Sequence, residues 1–368
     1  MPLPPRGISF MLSKLPLLAP HAGVIDVVDV HVGGDLHRIV LDGIAELPGS
    51  SVLEKMCFLR DQADGLRRIL LTEPRGGHPS LYADLVVEPV SPEAHAGFII
   101  MELMGYPLIS GTNTMSTAIA LLETGRLPMT EGPRELVLEA PGGLIDVLAH
   151  CENGKVKSVR YEASTPSYVA AKDMSVVLQN RDEIRFDIIW TGAFYPVVNA
   201  AEVGFELVKD EEQSLVQFAR AFIDAARKVA HPIHPVFGDE GPLSFVVFAS
   251  DTTRSEEGSW ERRVCCYEYP RFNVCRAPAG VPSTAVLVQL VDDGVLSVGD
   301  KLRTLSIFDA ELHAEVTSIE PYHGASAVKA AVTGSGWITT RSQIVVDFSD
   351  PLTPRQGLAA ILKDPATA

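Results

Sequence analysis

The sequence predicts an α+β fold of two pseudo-symmetric domains, each a β-structure around one central helix. Three observations predict it. Most of the chain reads as short β-runs separated by turns rich in Gly, Pro and Asp. Helical patterns are few. One block also returns 169 residues later without a gap: "SGTNTMSTAIALLETGRLPMTEGPRELVLEAPGGLIDV", opening at Ser110, lies over "AGVPSTAVLVQLVDDGVLSVGDKLRTLSIFDAELHAEV", opening at Ala279.

The β-runs begin with "VIDVVDVHV" and "HRIVLDGI". A helical pattern over 52–68 follows, then "ADLVVEPV" and "GFIIMEL". The first repeat helix is read over 115–124, with Ser110, Gly111, Thr112, Asn113 and Thr114 crowding its start. Ala118, Ile119, Leu121 and Leu122 make it apolar nearly all round, so it must be buried. Next come "RELVLEA", "IDVLAH", "VKSVRYEA" and "FDIIWTG". The longest helical pattern covers 210–229, with Leu215, Phe218, Phe222 and Ala226 on one face. "LSFVVFAS" follows, and the second repeat helix starts near Ser283 and stops at Gly294. Each repeat copy is a Gly-opened helix, a Gly stop and two β-runs.

A buried helix start leaves N–H groups without partners. Small polar residues there are read either as caps of tightly packed helices or as nests for an anion. Two such starts related by a pseudo-twofold would face each other across a cleft, and a small carboxylate between them would accept from both. That places Gly111, Thr112 and Asn113 on one side and Ala279, Gly280 and Val281 on the other as candidate substrate-binding residues.

Composition narrows the partners. The hydrophobic fraction is 46%, the charged fraction 21% and the formal net charge −16. This acidity argues against nucleic acid and anionic membranes as partners, and no apolar run is long enough to span a bilayer. The segment "MPLPPRGISFMLSKLPLLAP" has no acidic residue, and Lys14 interrupts its apolar stretch. It is read as a disordered or loosely packed extension rather than a signal peptide. Cys57, Cys151, Cys265, Cys266 and Cys275 fit neither a disulfide framework nor a metal signature. Adjacent Cys265 and Cys266 should point to opposite faces of a strand. A reducing, cytoplasmic compartment is expected. No metal, nucleotide or pyridoxal cofactor is expected either, since no Gly-rich phosphate loop follows a strand and no ligands cluster.

Several blocks together resemble one family. "VHVGGDLHRIV" is similar to H-T-x-G-E-P-x-R-V-V, with His31, Gly33, Gly34 and Arg38 in place. "LRRILLTEPRGG", "GFIIME", "YPLISGTNTMSTAIALLETGRLPM", "FDIIWTGAFYPVVNA" and "VTGSGWITTRSQIVVDFSDPL" resemble its later blocks. The chain resembles the proline racemase superfamily, whose architecture is shared with diaminopimelate epimerase. The resemblance implies domains at 24–157 plus 322–352 and at 158–321, flanked by an extension at 1–23 and a tail at 353–368. A homodimer is a further expectation.

In that family two residues face each other across the bound amino acid. The resemblance gives Ser110 the first position, in the Ser-type motif "SGTNTM" found in a branch that includes dehydratases; Thr112 stands where many members have His. The second motif, D-R-S-P-C-G-T-G, reads "CRAPAGVP" here. The amine-binding Asp has become Cys275 and the catalytic Cys has become Ala279. Pro282 has no N–H to give. A Ser hydroxyl needs another group to deprotonate it, and His31, His231 and His234 are candidates in space only. Cys275 is either catalytic or a buried, inert thiol. Asp239 and Glu240 read as a solvated loop. Since Ala279 moves no proton, the resemblance implies a cofactor-independent lyase or isomerase acting at the α-carbon of a small cyclic carboxylate. A trans-3-hydroxy-L-proline dehydratase-like elimination needs only one base. The alternatives are a proline or hydroxyproline racemase or epimerase, a non-catalytic binding protein, and an enzyme whose substrate is no amino acid. Ala279→Cys alone is not expected to restore racemisation, because Cys275 removes the amine anchor.

Overall fold

A computed structural model describes residues 23–363 apart from 74, 79, 179–182 and 256–257. The extension read over 1–23 lies almost wholly outside the described residues. The two repeat copies fold alike. The first helix is Gly111–Glu123, here α3, and the second is Gly280–Asp292, here α5. Both ends of the two helices stand 169 residues apart, as the repeat requires. Each helix stops at a glycine with positive φ, 74° at Gly125 and 72° at Gly294, where a side chain would strain the backbone. The chain then folds back over the helix end, Leu127 N–H donating to Leu121 O and Leu296 N–H to Leu290 O.

Both helices are buried on all sides. Every residue from Gly111 to Leu122 is buried. Each leucine taken from water there contributes about 1.5–3 kcal/mol. Around α3 pack the strands Gly23–Val32, Asp35–Asp42, Tyr82–Val87, Lys155–Ala163 and Gly336–Val346. Around α5 pack Tyr168–Val177, Glu183–Trp190, Phe194–Asn199, Trp260–Glu268, Glu311–Tyr322 and Ala325–Gly334. The strand Lys155–Ala163 pairs antiparallel with Ala325–Gly334, from Glu162 opposite Ala331 to Val159 opposite Gly334. This ladder joins the β-structure of one helix to that of the other. The strand Gly336–Val346 crosses back and pairs antiparallel along all of Gly23–Val32.

Several features differ from the sequence reading, the first being that α3 begins at Gly111 rather than Met115. The pattern over 52–68 forms two helices, α1 (Val52–Gln62) and α2 (Gly65–Leu71). The break follows from Gly65, whose missing β-carbon lets Gln356 O approach to 2.7 Å of where it would sit, and Asp64 ties down Arg67 at 2.7 Å. The long pattern over 210–229 is a shorter helix, α4 (Glu212–Ala226), entered through the 3₁₀ turn Lys209–Glu211. Its predicted face of Leu215, Phe218, Phe222 and Ala226 is buried. α5 begins three residues before Ser283, because Pro282 fits the first helical turn, where no intrahelical N–H is required. The β-run reading passed over the strand Tyr168–Val177, whose mixed burial hides the alternation, and also Phe194–Asn199, Trp260–Glu268, Ala325–Gly334 and Gly336–Val346. Cys265 and Cys266 do face opposite ways, one into the aromatic core under α4 and the other into the core around α3 and α5. Among the described residues no helix is long and apolar enough to cross a membrane.

Candidate active site

The starts of α3 and α5 meet. A β-carbon on Gly280 would lie 2.9 Å from Gly111 Cα, and one on either glycine would strike the Tyr161 hydroxyl, at 2.1 Å for Gly111 and 2.6 Å for Gly280. Only glycine permits this approach. The first-turn N–H groups of each helix have no intrahelical acceptor, and those of Thr112, Gly280 and Val281 belong to residues lining a cavity of about 30 Å³ at the junction. Ser110 is the N-cap residue of α3, yet its side chain caps nothing. Its Oγ instead accepts from Asn113 Nδ2 at 2.7 Å.

Ala279, at the α5 start, has φ 60° and ψ 141°. That region favours glycine, so the residue is held there against strain. Part of the hold comes from Asp35, just after the Gly33–Gly34 turn. Its carboxylate accepts the N–H groups of Arg276 at 2.7 Å and Ala277 at 3.2 Å. Burial pushes the Asp35 carboxyl up to about 6 in spite of these bonds.

The cavity gathers Ser110, Thr112, Cys275, Ala279, Gly280 and Val281. Gly111 and Asn113 stand behind that lining. The sequence reading missed Glu102, Glu268, Tyr82, Tyr195 and Cys266, which also line it. Glu102 and Glu268 are 4% and 1% exposed. Burial pushes both carboxyls up; the charge of Glu268 raises Glu102 further, and Arg271 opposes the rise at Glu268. Glu102 Oε1 accepts from the same Asn113 Nδ2 that donates to Ser110. Glu268 Oε1 accepts from Met104 N–H at 3.2 Å, and its Oε2 lies 2.8 Å from Arg271 Nε. Arg271 is fully buried, with its guanidinium 3.9 Å from the centre of the Tyr82 ring.

Cys275 faces the Tyr82 hydroxyl at 3.2 Å. Its N–H donates to Cys266 O at 2.8 Å, and contact between the two thiols pushes the Cys266 thiol up. The histidines considered as partners for Ser110 lie elsewhere. His31 stacks on Trp337 at 5.2 Å, His231 pairs with Glu240 at 2.9 Å in an exposed loop, and His234 packs on Trp190 at 4.9 Å. Asp239 and Glu240 are exposed. The neighbour of Ser110 is therefore the Asn113–Glu102 pair. A signal for it was present: Glu102 follows six consecutive buried apolar or glycine residues, and Glu268 closes the buried run "VCCYE".

Comparison with known proteins agrees with this geometry. The family model described as "Proline racemase" matches residues 27–358. A protein of Marinobacter nauticus is 38% identical over 338 residues, covering 92% of this chain and 95% of that protein. The structure of a hydroxyproline epimerase from Agrobacterium vitis with bound trans-4-hydroxy-L-proline superposes with a TM-score of 0.83 at 27% identity, covering 92% of this chain and 98% of the other. A probable proline racemase from Agrobacterium radiobacter with bound carbonate gives 0.83 at 28% identity, covering 91% and 99%. With its two glycine-opened helices meeting at one cavity and a family match along nearly its whole length, this chain belongs to the proline racemase family.

Proposed function

We propose that the protein is a cofactor-independent lyase or isomerase acting at the α-carbon of a small cyclic carboxylate. The family and the two solved relatives support the isomerase class at the coarse level. Beside the isomerase class, the cavity supports a trans-3-hydroxy-L-proline dehydratase-like elimination, a lyase reaction. The observation that carries this finer reading is one-sidedness: Ser110 with Asn113 and Glu102 on the α3 side, and the Ala279 methyl on the α5 side. The substrate carboxylate takes the free N–H groups at the two helix starts. Ser110, held by the Asn113 amide, forms the proton-relaying side: its Oγ takes the Cα proton as its own hydroxyl proton passes to the leaving group. The Cα–H bond breaks, its electron pair becomes the double bond to the neighbouring ring carbon, and the hydroxyl on that carbon leaves as water with the proton that Ser110 gives up.

A second reading has one observation in its favour. Cys275 lines the cavity beside Tyr82, so a thiol stands within it even though Ala279 does not supply one. That thiol would serve as the opposite acid of an epimerase. Proton NMR of trans-3-hydroxy-L-proline with the enzyme in heavy water separates the two. Loss of the hydroxylated ring and appearance of the dehydrated product is the expected result. Deuterium at Cα with the epimer and no elimination would overturn the dehydratase reading.

A further inference from the structure

A cavity of about 370 Å³ lies away from the candidate active site, and among the described residues the two share no lining residue. Its origin is topological. The strands Asp35–Asp42 and Tyr82–Val87 are parallel neighbours, so no hairpin closes their ends. The chain leaves them through 43–47 and 88–95, and the space between is walled by Ile44, Leu47, Leu85, Val87 and Ala96. The end of α3 closes it with Leu121. Thr112 in the first turn of α3 lines the active-site cavity and Leu121 lines this one, about 14 Å away along the helix axis.

Lys55 makes this more than a gap in the packing. It stands on α1 and lines the cavity, yet it is only 4% exposed. A lysine head ordinarily reaches water. This one donates to Glu88 O at 3.1 Å, and among the described residues no carboxylate lies within ion-pair distance of it. Asp42, on the same cavity wall, is already engaged by Gly43 N–H, Lys363 and Arg126. Glu46 and Glu88 are exposed at the rim. An ammonium has three donors, and a buried charge without a counter-charge is costly.

We propose that this cavity is a second small-molecule site, which binds a monocarboxylate with a compact apolar body. The carboxylate meets Lys55 Nζ, and the body packs on Leu85, Val87 and Leu121. The space is within the range of small-molecule pockets. Glu46 and Glu88 at the rim disfavour a second negative charge. The site stands independently of the reading of the catalytic cleft.

The probes are phenylacetate and its neutral amide, phenylacetamide, titrated into the full chain by calorimetry. Wild-type protein should prefer the acid by about tenfold or more, the size of a charge-assisted contact in a buried site. Lys55→Met keeps an unbranched stem and removes the charge, and it should cut that preference to about threefold or less. Hydrogen–deuterium exchange on wild-type protein needs no variant, and phenylacetate should protect the segments 43–47 and 88–95. Phenylmalonate, the dianion of the same body, should bind more weakly than phenylacetate; tighter binding overturns the monoanion preference. Equal binding of acid and amide, an undiminished preference in folded Lys55→Met, or no binding of phenylacetate at millimolar concentration overturns the site. Protection confined to 110–113 and 279–281 overturns it too, since the carboxylate would then sit at the catalytic helix starts.

Discussion

Gly280 and Gly111 open helices 169 residues apart in sequence, yet a β-carbon on the first would come within 2.9 Å of the backbone of the second. Adding that carbon should therefore push the two helix starts apart. Gly111→Ala and Gly280→Ala should each destabilise the protein by about 1–3 kcal/mol, the overpacking cost outweighing the small gain of alanine in a helix. Denaturant unfolding in a Tyr161→Phe background refines this. The Tyr161 hydroxyl is the nearest atom for Gly280 at 2.6 Å, but for Gly111 the ring carbon behind it would still lie 2.6 Å away. Tyr161→Phe should thus relieve Gly280→Ala more than Gly111→Ala, a coupling that a double-mutant cycle measures.

Ser110→Ala should lower turnover of the true substrate by about 10²-fold or more, the share of a positioned proton-transfer group. It should leave the fold nearly unchanged, since the side chain caps no helix. Asn113→Ala should lower both activity and stability. It removes the only side-chain donor to the Glu102 carboxyl among the described residues and costs about 1–3 kcal/mol. Steady-state rates beside thermal melts distinguish the two variants.

Asp35 sets a pH dependence. Its carboxyl is held up at about 6 when folded, above its unfolded value. The folded state then binds the proton more tightly, so this stabilisation is complete below the unfolded value and is lost as pH rises through about 6. Asp35→Asn removes the titration. The difference between wild-type and Asp35→Asn unfolding free energies should fall by roughly 2–3 kcal/mol between about pH 4 and pH 6.5. Glu102, Glu268 and Asp84 shift the same way and cancel in that difference.

The Ala279→Cys variant gains a different expectation from the structure. From the sequence it should do nothing alone, for want of an amine anchor. With Glu268 and Glu102 in the cavity, the thiol should give slow Cα exchange of proline in heavy water, about tenfold or more above wild type. Any side chain at this position inherits φ 60°, so full racemase turnover is not expected. Adding Cys275→Asp should bring little further exchange and a stability that falls with rising pH, because a third carboxyl joins two buried ones. A single variant without exchange, rescued by the double, would place the amine contact at position 275.

Much of the fold was legible because its signals are local and repeated. Gly111, Gly125, Gly280 and Gly294 mark the two helices, and the all-round apolar character of Ala118 to Leu122 demanded burial. The α1–α2 break was hidden because its cause, the approach of Gln356 O to Gly65, comes from the far end of the chain. The site was half legible for the same reason. Ser110, Thr112, Cys275, Ala279, Gly280 and Val281 lie in or beside helix starts, where spacing speaks. Glu102 follows the strand Ala96–Met101 and Glu268 ends a strand remote from it in sequence, and nothing short of three dimensions shows that both line one cavity. The sequence offers histidines as partners for Ser110, whereas the fold supplies an amide with a carboxyl behind it.

The return of Gly336–Val346 to Gly23–Val32 has a consequence for the making of the protein. A ribosome releases the earlier strand long before its partner, since the partner follows it far along the chain. Between the two, the nascent chain carries an unpaired strand edge beside a helix that is greasy on every side. Such surfaces invite association with other chains. A polysome crowded with these half-finished products is where a chaperone would matter most to this protein, and a nonsense codon late in the message would strand its first hundred residues without their closing seam.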